Sequence, residues 1–251
     1  MILSDSHCHL DQYGNGHFNE VLDLARKSDI DLIVTMGLTV NSSARIIKMA
    51  QSHDIVYAAV GIHPFYSVSP TESVKRRLNE LALSKYVVAI GEVGLDYFHK
   101  PNTKKIQQDL LDYEFLLARR LNLPVSIHCR EAYRDIMSIL KDHVRLGLKG
   151  WIHSFMAGPV ELQEWLDLGF FIAPGFTGIV HTDDEALLEA MRTIPDDHLL
   201  IETDCANTKD AAGPHEVVTA AQKLATIRGT SVEHVARVTT ENLKRLLALP
   251  G

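Results

Sequence analysis

Short runs rich in apolar, β-favouring residues alternate with longer amphipathic segments from one end of the chain to the other. That rhythm predicts repeated βα units. Eight strands are expected, at Ile2–Ser6, Asp31–Met36, Ile55–Val60, Val87–Gly91, Val125–His128, Gly150–His153, Phe170–Ala173 and His198–Thr203. Between the fourth and fifth, Thr103–Leu121 carries Ile106, Leu110, Leu111, Tyr113, Phe115, Leu117 and Ala118 among charged residues and predicts a helix. Asn41, Thr71 and Asp183 are expected N-caps, and Ser231–Leu249 reads as one or two short helices on Val235, Val238, Leu243, Leu246 and Leu247.

A doubly wound sheet would share this alternation, but it would place a Gly-rich phosphate loop after strand one, where His7-Cys8-His9 stands instead. The expected fold is therefore a TIM-type (β/α)₈ barrel, with residues 1–251 forming a single domain around one core. The length of 251 residues and an apolar content of 46% suit that fold. No stretch is long and apolar enough to suggest a membrane span, and the N-terminus lacks the features of a signal peptide. Three cysteines in a chain of this size point to a reducing, cytoplasmic setting rather than a disulfide framework. The formal charge of −7 provides no general field for polyanions, so any nucleic-acid substrate must be held locally.

In a barrel, chemistry sits where strands end and βα loops begin. Those positions carry His7 and His9 on strand one, His63 on strand three, Glu92 on strand four, His128 on five, His153 on six and Asp204 on eight. His7 and His9 are two apart on an extended chain, which puts both imidazoles on one face, about 6–7 Å apart at the backbone. The same parity turns Cys8, Cys129 and Cys205 away, as packing residues. Four histidines and two carboxylates (His7, His9, His128, His153, Glu92 and Asp204) have no inexpensive structural role if buried without partners. They read as ligands for divalent cations. Imidazole with carboxylate suits zinc, manganese or iron, and magnesium where carboxylates and water dominate. Six donors exceed the needs of one open catalytic ion, so two are expected, and Glu92 could bridge them.

At these residues the chain resembles the TatD family of metal-dependent deoxyribonucleases, a branch of the amidohydrolase-type barrels. The resemblance runs through Asp5-Ser6-His7-Cys8-His9-Leu10-Asp11, Gly61-Ile62-His63-Pro64, Ala89 to Tyr97, His128 to Ala132, His153-Ser154-Phe155, Ile201 to Asp204 and Thr240 to Leu243. It implies one ion on His7, His9, Glu92 and Asp204, a second on Glu92, His128 and His153, and His63 beside them. It also implies phosphodiester hydrolysis in DNA. Asp204 is the candidate to orient or deprotonate the attacking water, and Asp5 is expected to support the strand-one histidines. Arg130 could reach a phosphate or make a surface ion pair, while His63 could contact substrate or bond to the barrel rim. Phe65, Tyr66, Tyr97 and Phe98 could stack on a base or pack the mouth. His17, His53, His99, His143, His198 and His234 read as structural or surface residues.

Two departures from the family pattern bear on the substrate. Asp204 is followed by Cys205-Ala206-Asn207-Thr208 rather than Ser-Pro-Tyr-Leu, and Gly213-Pro214-His215-Glu216 replaces a basic segment. Both remove positive charge or loop surface from the mouth, which makes a metal-dependent deacylase, esterase or lactonase the alternative to a nuclease acting on DNA ends or oligonucleotides. No obligate protein partner is implied.

Overall fold

The computed structural model describes residues 1–207 and 209–250, apart from the side chain of Asn15; Thr208 of the loop after Asp204 lies outside the described residues. Among the described residues there are seven strands: β1 Leu3–Cys8, β2 Ile30–Met36, β3 Val56–Val60, β4 Val87–Asp96, β5 Val125–Arg130, β6 Gly150–Phe155 and β7 Phe171–Pro174. They alternate with helices α1 Asn15–Lys27, α2 Val40–Ser52, α3 Glu72–Ala82, α4 Lys104–Leu121 and α5 Tyr133–Arg145. The later helices are α6 Pro159–Asp167, α7 Phe176–His181, α8 Glu185–Thr193, α9 Val217–Arg228 and α10 Val232–Leu247. The chain packs as two compact units, Met1–Thr35 with His153–Gly251, and Met36–Ile152, whose boundaries fall inside β2 and β6.

Within Met36–Ile152, β3, β4, β5 and the start of β6 pair in parallel. All ten residues of β4 are buried, because it has a strand on either side and α4 packed over it. Leu110, Leu111, Phe115, Leu117 and Ala118 line the buried side of α4, as their helical spacing requires. The β4–β5 register advances three residues on β4 but two on β5 between Ile90↔Val125 and Val93↔Ile127. That extra residue is a bulge at Gly91–Glu92, and a bulge redirects the side chain it carries. Here that side chain is Glu92.

Helix α2 begins at Thr39, not at Asn41. The Thr39 hydroxyl accepts from Ser42 N at 3.1 Å and the Ser42 hydroxyl accepts from Thr39 N at 2.8 Å, a reciprocal capping box. Thr39 is the residue whose backbone is still extended, whereas Asn41 already lies in the first turn. Thr39→Ala is expected to cost about 1 kcal/mol in a urea unfolding curve, with an unchanged slope. A midpoint equal to wild type would show that the cap contributes nothing. Thr71 caps α3 as expected, while Asp184 rather than Asp183 caps α8.

In the other unit, β1 pairs in parallel with β2, and β1 also carries one extra residue between Asp5↔Ile33 and Cys8↔Thr35, at Ser6–His7. Helix α10 is a single helix packed on β1 and α9, with Val235, Val238, Leu243, Leu246 and Leu247 all buried. The eighth predicted strand does not form as a strand. Asp196–His198 is a 3₁₀ turn, and only Leu199 bridges Ile172 of β7. The segment still runs beside both neighbours, because Leu200 N donates to Ile172 O at 2.8 Å and Ser6 N donates to Ile201 O at 3.0 Å. Its ladder is interrupted where Thr203 N turns to a side chain, donating to Asp5 Oδ1 at 3.0 Å. A carboxylate thus takes the backbone donor that a regular strand would use.

Candidate metal centre

Two groups of donors stand at the carboxyl ends of strands, one in each unit. The first begins with His7 in β1 and His9 just beyond it, both fully buried. Their Nε2 atoms lie 3.3 Å apart, and Asp204 Oδ1 is 3.2 Å from His9 Nε2 and 3.8 Å from His7 Nε2. Asp204 Oδ1 is buried and makes no hydrogen bond of good geometry among the described residues. Three nitrogen and oxygen atoms converging in this way, with no sulfur among them, fit a divalent cation of the zinc, manganese or magnesium type. Burial pushes the Asp204 carboxyl up, but the imidazoles of His9, His153 and His7 outweigh it and hold it below the ordinary carboxylate range. Asp204 has φ 49°, a left-handed conformation that Asp and Asn tolerate better than most residues.

His153, in β6, stacks on His7 with ring centres 3.6 Å apart. Its Nδ1 faces Glu202 Oε1 at 2.8 Å, and the same oxygen accepts from Ser154 N at 2.8 Å. The bond to Nδ1 fixes the ring plane. Burial pushes the Glu202 carboxyl up to about 7, with His153 acting in the opposite direction.

Asp5 serves differently from the expected support of imidazoles. Its Oδ1 accepts from His7 N at 3.2 Å and Thr203 N at 3.0 Å, and its Oδ2 accepts from the Thr203 hydroxyl at 2.6 Å. It therefore ties β1 to the segment that carries Asp204. Burial pushes the Asp5 carboxyl from 3.8 up to about 8, against those three donors. A carboxyl whose folded pKa is raised binds more protons folded than unfolded between those values, so stability is lost as pH rises from about 4 to about 8. In chelator-treated protein the melting temperature should fall across that window, and Asp5→Asn should flatten the fall. An unchanged slope in Asp5→Asn would exclude Asp5 as its source.

The second group is His63, Glu92 and His128. Glu92 Oε1 lies 2.9 Å from His128 Nδ1 and 3.3 Å from His63 Nε2. On its other edge, His128 Nε2 meets Asp96 Oδ2 at 3.3 Å. Asp96 is buried at the end of β4 and also takes His99 Nδ1 and His99 N, both at 2.8 Å. Burial alone would raise the Asp96 carboxyl, but the bonds from His128 and His99 outweigh it and keep it ionised well below the usual range. Arg130, exposed at the end of β5, lies over the ring of Phe98 at 5.1 Å.

Glu202 and Asp96, each gripping a histidine of the expected ligand set, had no role in the sequence reading. Their signal was present: Asp96 stands four residues past Glu92 on one strand, and Glu202 two before Asp204. His99, expected as a structural or surface residue, is half-exposed and anchored by Asp96. Cys8 and Cys205 are fully buried beside Asp5, close enough for the three to share a cation, and burial raises the Cys8 thiol. Cys129 is half-buried, and burial pushes its thiol up to about 11.

No helix among the described residues is long and apolar enough to cross a membrane. The family described as TatD related DNase matches residues 4–248. The metal-dependent hydrolase YabD of Bacillus subtilis is 32% identical over 256 residues, spanning 99% of this chain and 100% of that protein. The 3'-5' ssDNA/RNA exonuclease TatD of Pantoea ananatis is 31% identical over 243 residues, spanning 92% of this chain and 93% of that one. Among solved structures, YJJV, a TatD homologue from Escherichia coli K12, matches with a TM-score of 0.90 at 25% identity, covering 99% of this chain and 98% of its own. A match that runs almost end to end, in sequence and in backbone, means that the chain belongs to the TatD related DNase family and is a metal-dependent hydrolase with a TIM-type β/α barrel fold.

Proposed function

We propose that the protein hydrolyses phosphodiester bonds at DNA ends or in short oligonucleotides, with His7, His9, Glu92, His128, His153 and Asp204 together holding two divalent cations. The observation that carries this reading is the convergence of His7 Nε2, His9 Nε2 and Asp204 Oδ1, all within 4.8 Å of one another, alongside a second set on His63, Glu92 and His128. The family fold supports their joint use, since strand ends of a β/α barrel gather at one mouth. The nucleic-acid substrate is supported by the exonuclease of Pantoea ananatis.

Bound cations would lower the pKa of water and polarise phosphoryl oxygens. Asp204, held ionised by the imidazoles around it, takes the proton from the attacking water. Glu92 keeps His128 and His63 in fixed orientation through one oxygen. Glu202 and Asp96 lock His153 and His128 by their far nitrogens, so neither ring can turn its ligating atom away. His63 contacts the substrate, and Arg130 meets a phosphate. The three cysteines are free, which supports a reducing, cytoplasmic setting.

The test strips the protein with chelator, restores magnesium, manganese or zinc, and offers single-stranded DNA, duplex DNA, RNA and aryl esters in parallel. Metal-restored release of nucleotides is expected. Ester turnover with all nucleic acids intact would replace this reading by carbonyl hydrolysis.

A further inference from the structure

Around the His63, Glu92 and His128 group, large rings are exposed to solvent rather than packed into the core. Phe65 is 40%, Tyr66 47% and Phe98 52% exposed, and all three lie in the loops that follow β3 and β4. The rings follow one another edge to face, so each can offer a separate face to a base. Ring centres are 6.4 Å apart from His63 to Tyr66, 5.1 Å from Tyr66 to Phe65, 6.1 Å from Phe65 to His99 and 4.8 Å from His99 to Phe98. Tyr97, by contrast, turns inward and donates its hydroxyl to Asp135 at 2.7 Å.

We infer that Tyr66, Phe65, His99 and Phe98, with Lys100 and Arg130 over the rings, form a platform that stacks the unpaired bases of a single-stranded nucleic acid. Lys100 Nζ sits 4.3 Å from the Phe65 ring centre and the Arg130 guanidinium 5.1 Å from that of Phe98. Phe65 and Phe98 are thus each paired with a cation, and a nucleotide needs both, a flat apolar face for its base and a positive charge for its phosphate. The pairing is local in a chain of net charge −7. The platform is also mechanically joined to the second donor group, because Asp96 holds His99 and His128 through the same oxygen. A duplex hides its base faces in its own stack, so the surface favours single strands and frayed ends. A carbonyl substrate needs neither the run of rings nor the cations.

This inference rests on the nucleic-acid reading above, and the experiment separates the two. Binding of a fluorescein-labelled, phosphorothioate single-stranded oligodeoxynucleotide to the metal-loaded protein is followed by fluorescence anisotropy. Phe65→Ala and Phe98→Ala should each weaken binding about 5- to 100-fold, while Phe98→Trp should retain it. Lys100→Ala should lessen the dependence of affinity on salt. If both alanine variants bind like wild type while metal-restored nucleotide release persists, the platform is overturned and the nuclease reading stands. If wild-type protein binds neither single-stranded DNA nor RNA and turns over aryl esters, both fall together.

Discussion

Asp204→Asn should lower kcat for metal-restored nucleotide release by about 10²–10⁴-fold, the range for loss of a positioned base, while the protein stays folded. The choice of asparagine follows from the backbone. Asp204 has φ 49°, and asparagine is one of the few other residues that adopts this region without large strain. Its backbone is held on both sides, by Asp204 N donating to His7 O at 2.9 Å and Asn207 N donating to Asp204 O at 3.1 Å. An alanine there would mix backbone strain with the loss of the carboxylate. Asparagine removes the negative charge and keeps the shape, so the change in rate reports the carboxylate alone. The measurement is kcat at saturating metal, with metal content and melting temperature taken on the same samples. A kcat within twofold of wild type would remove Asp204 from the chemistry.

Gly94→Ala should destabilise the protein by about 3–5 kcal/mol, or roughly 6–20 °C in melting temperature. Gly94 lies opposite His128 in the β4–β5 ladder with φ +150°, a region that residues with a side chain rarely enter. A Cβ added there would stand 2.8 Å from the His128 carbonyl carbon, 2.9 Å from its nitrogen and closer still to its oxygen. All of these are backbone atoms of a central strand, so no side-chain rotation relieves the clash. The displaced residue is a proposed metal ligand, and bound metal should fall along with stability. Gly147 provides the control, since it also has positive φ, at +94°, but a Cβ there meets nothing within 4 Å. Gly147→Ala should cost about 1 kcal/mol from backbone strain alone. Equal melting temperatures for the two variants would show that the close approach at Gly94 is unimportant.

Much of the candidate site is legible because it is written in residue types at strand ends. Histidine and carboxylate at those ends, and the alternation that puts His7 and His9 on one face, need no tertiary information. The carboxylates that hold the histidines were harder to see. Whether Asp96 touches His128 or faces solvent depends on which edge of the imidazole lies toward Glu92, and no linear pattern encodes that orientation. Strand β4 illustrates the same limit, since it continues from Gly91 through Glu92 and Asp96. Charged residues and glycines there read as loop. They are strand because neighbouring strands, histidines and backbone donors satisfy groups that would otherwise need water.

The sequence by itself determined the alternation of strands and helices, the apolar sides of helices such as α4 and α10, and the donor types at the strand ends. Those properties depend on side-chain period and chemistry, which are local. Tertiary structure decided which backbone amides pair with strands and which with carboxylates, and hence why Leu199–Thr203 stays irregular beside β1 and β7. It also decided that His153 turns Nδ1 toward Glu202 and that His128 turns Nε2 toward Asp96. Those outcomes depend on distances of a few ångströms between residues as far apart in the chain as Asp5 and Thr203, and only packing sets such distances.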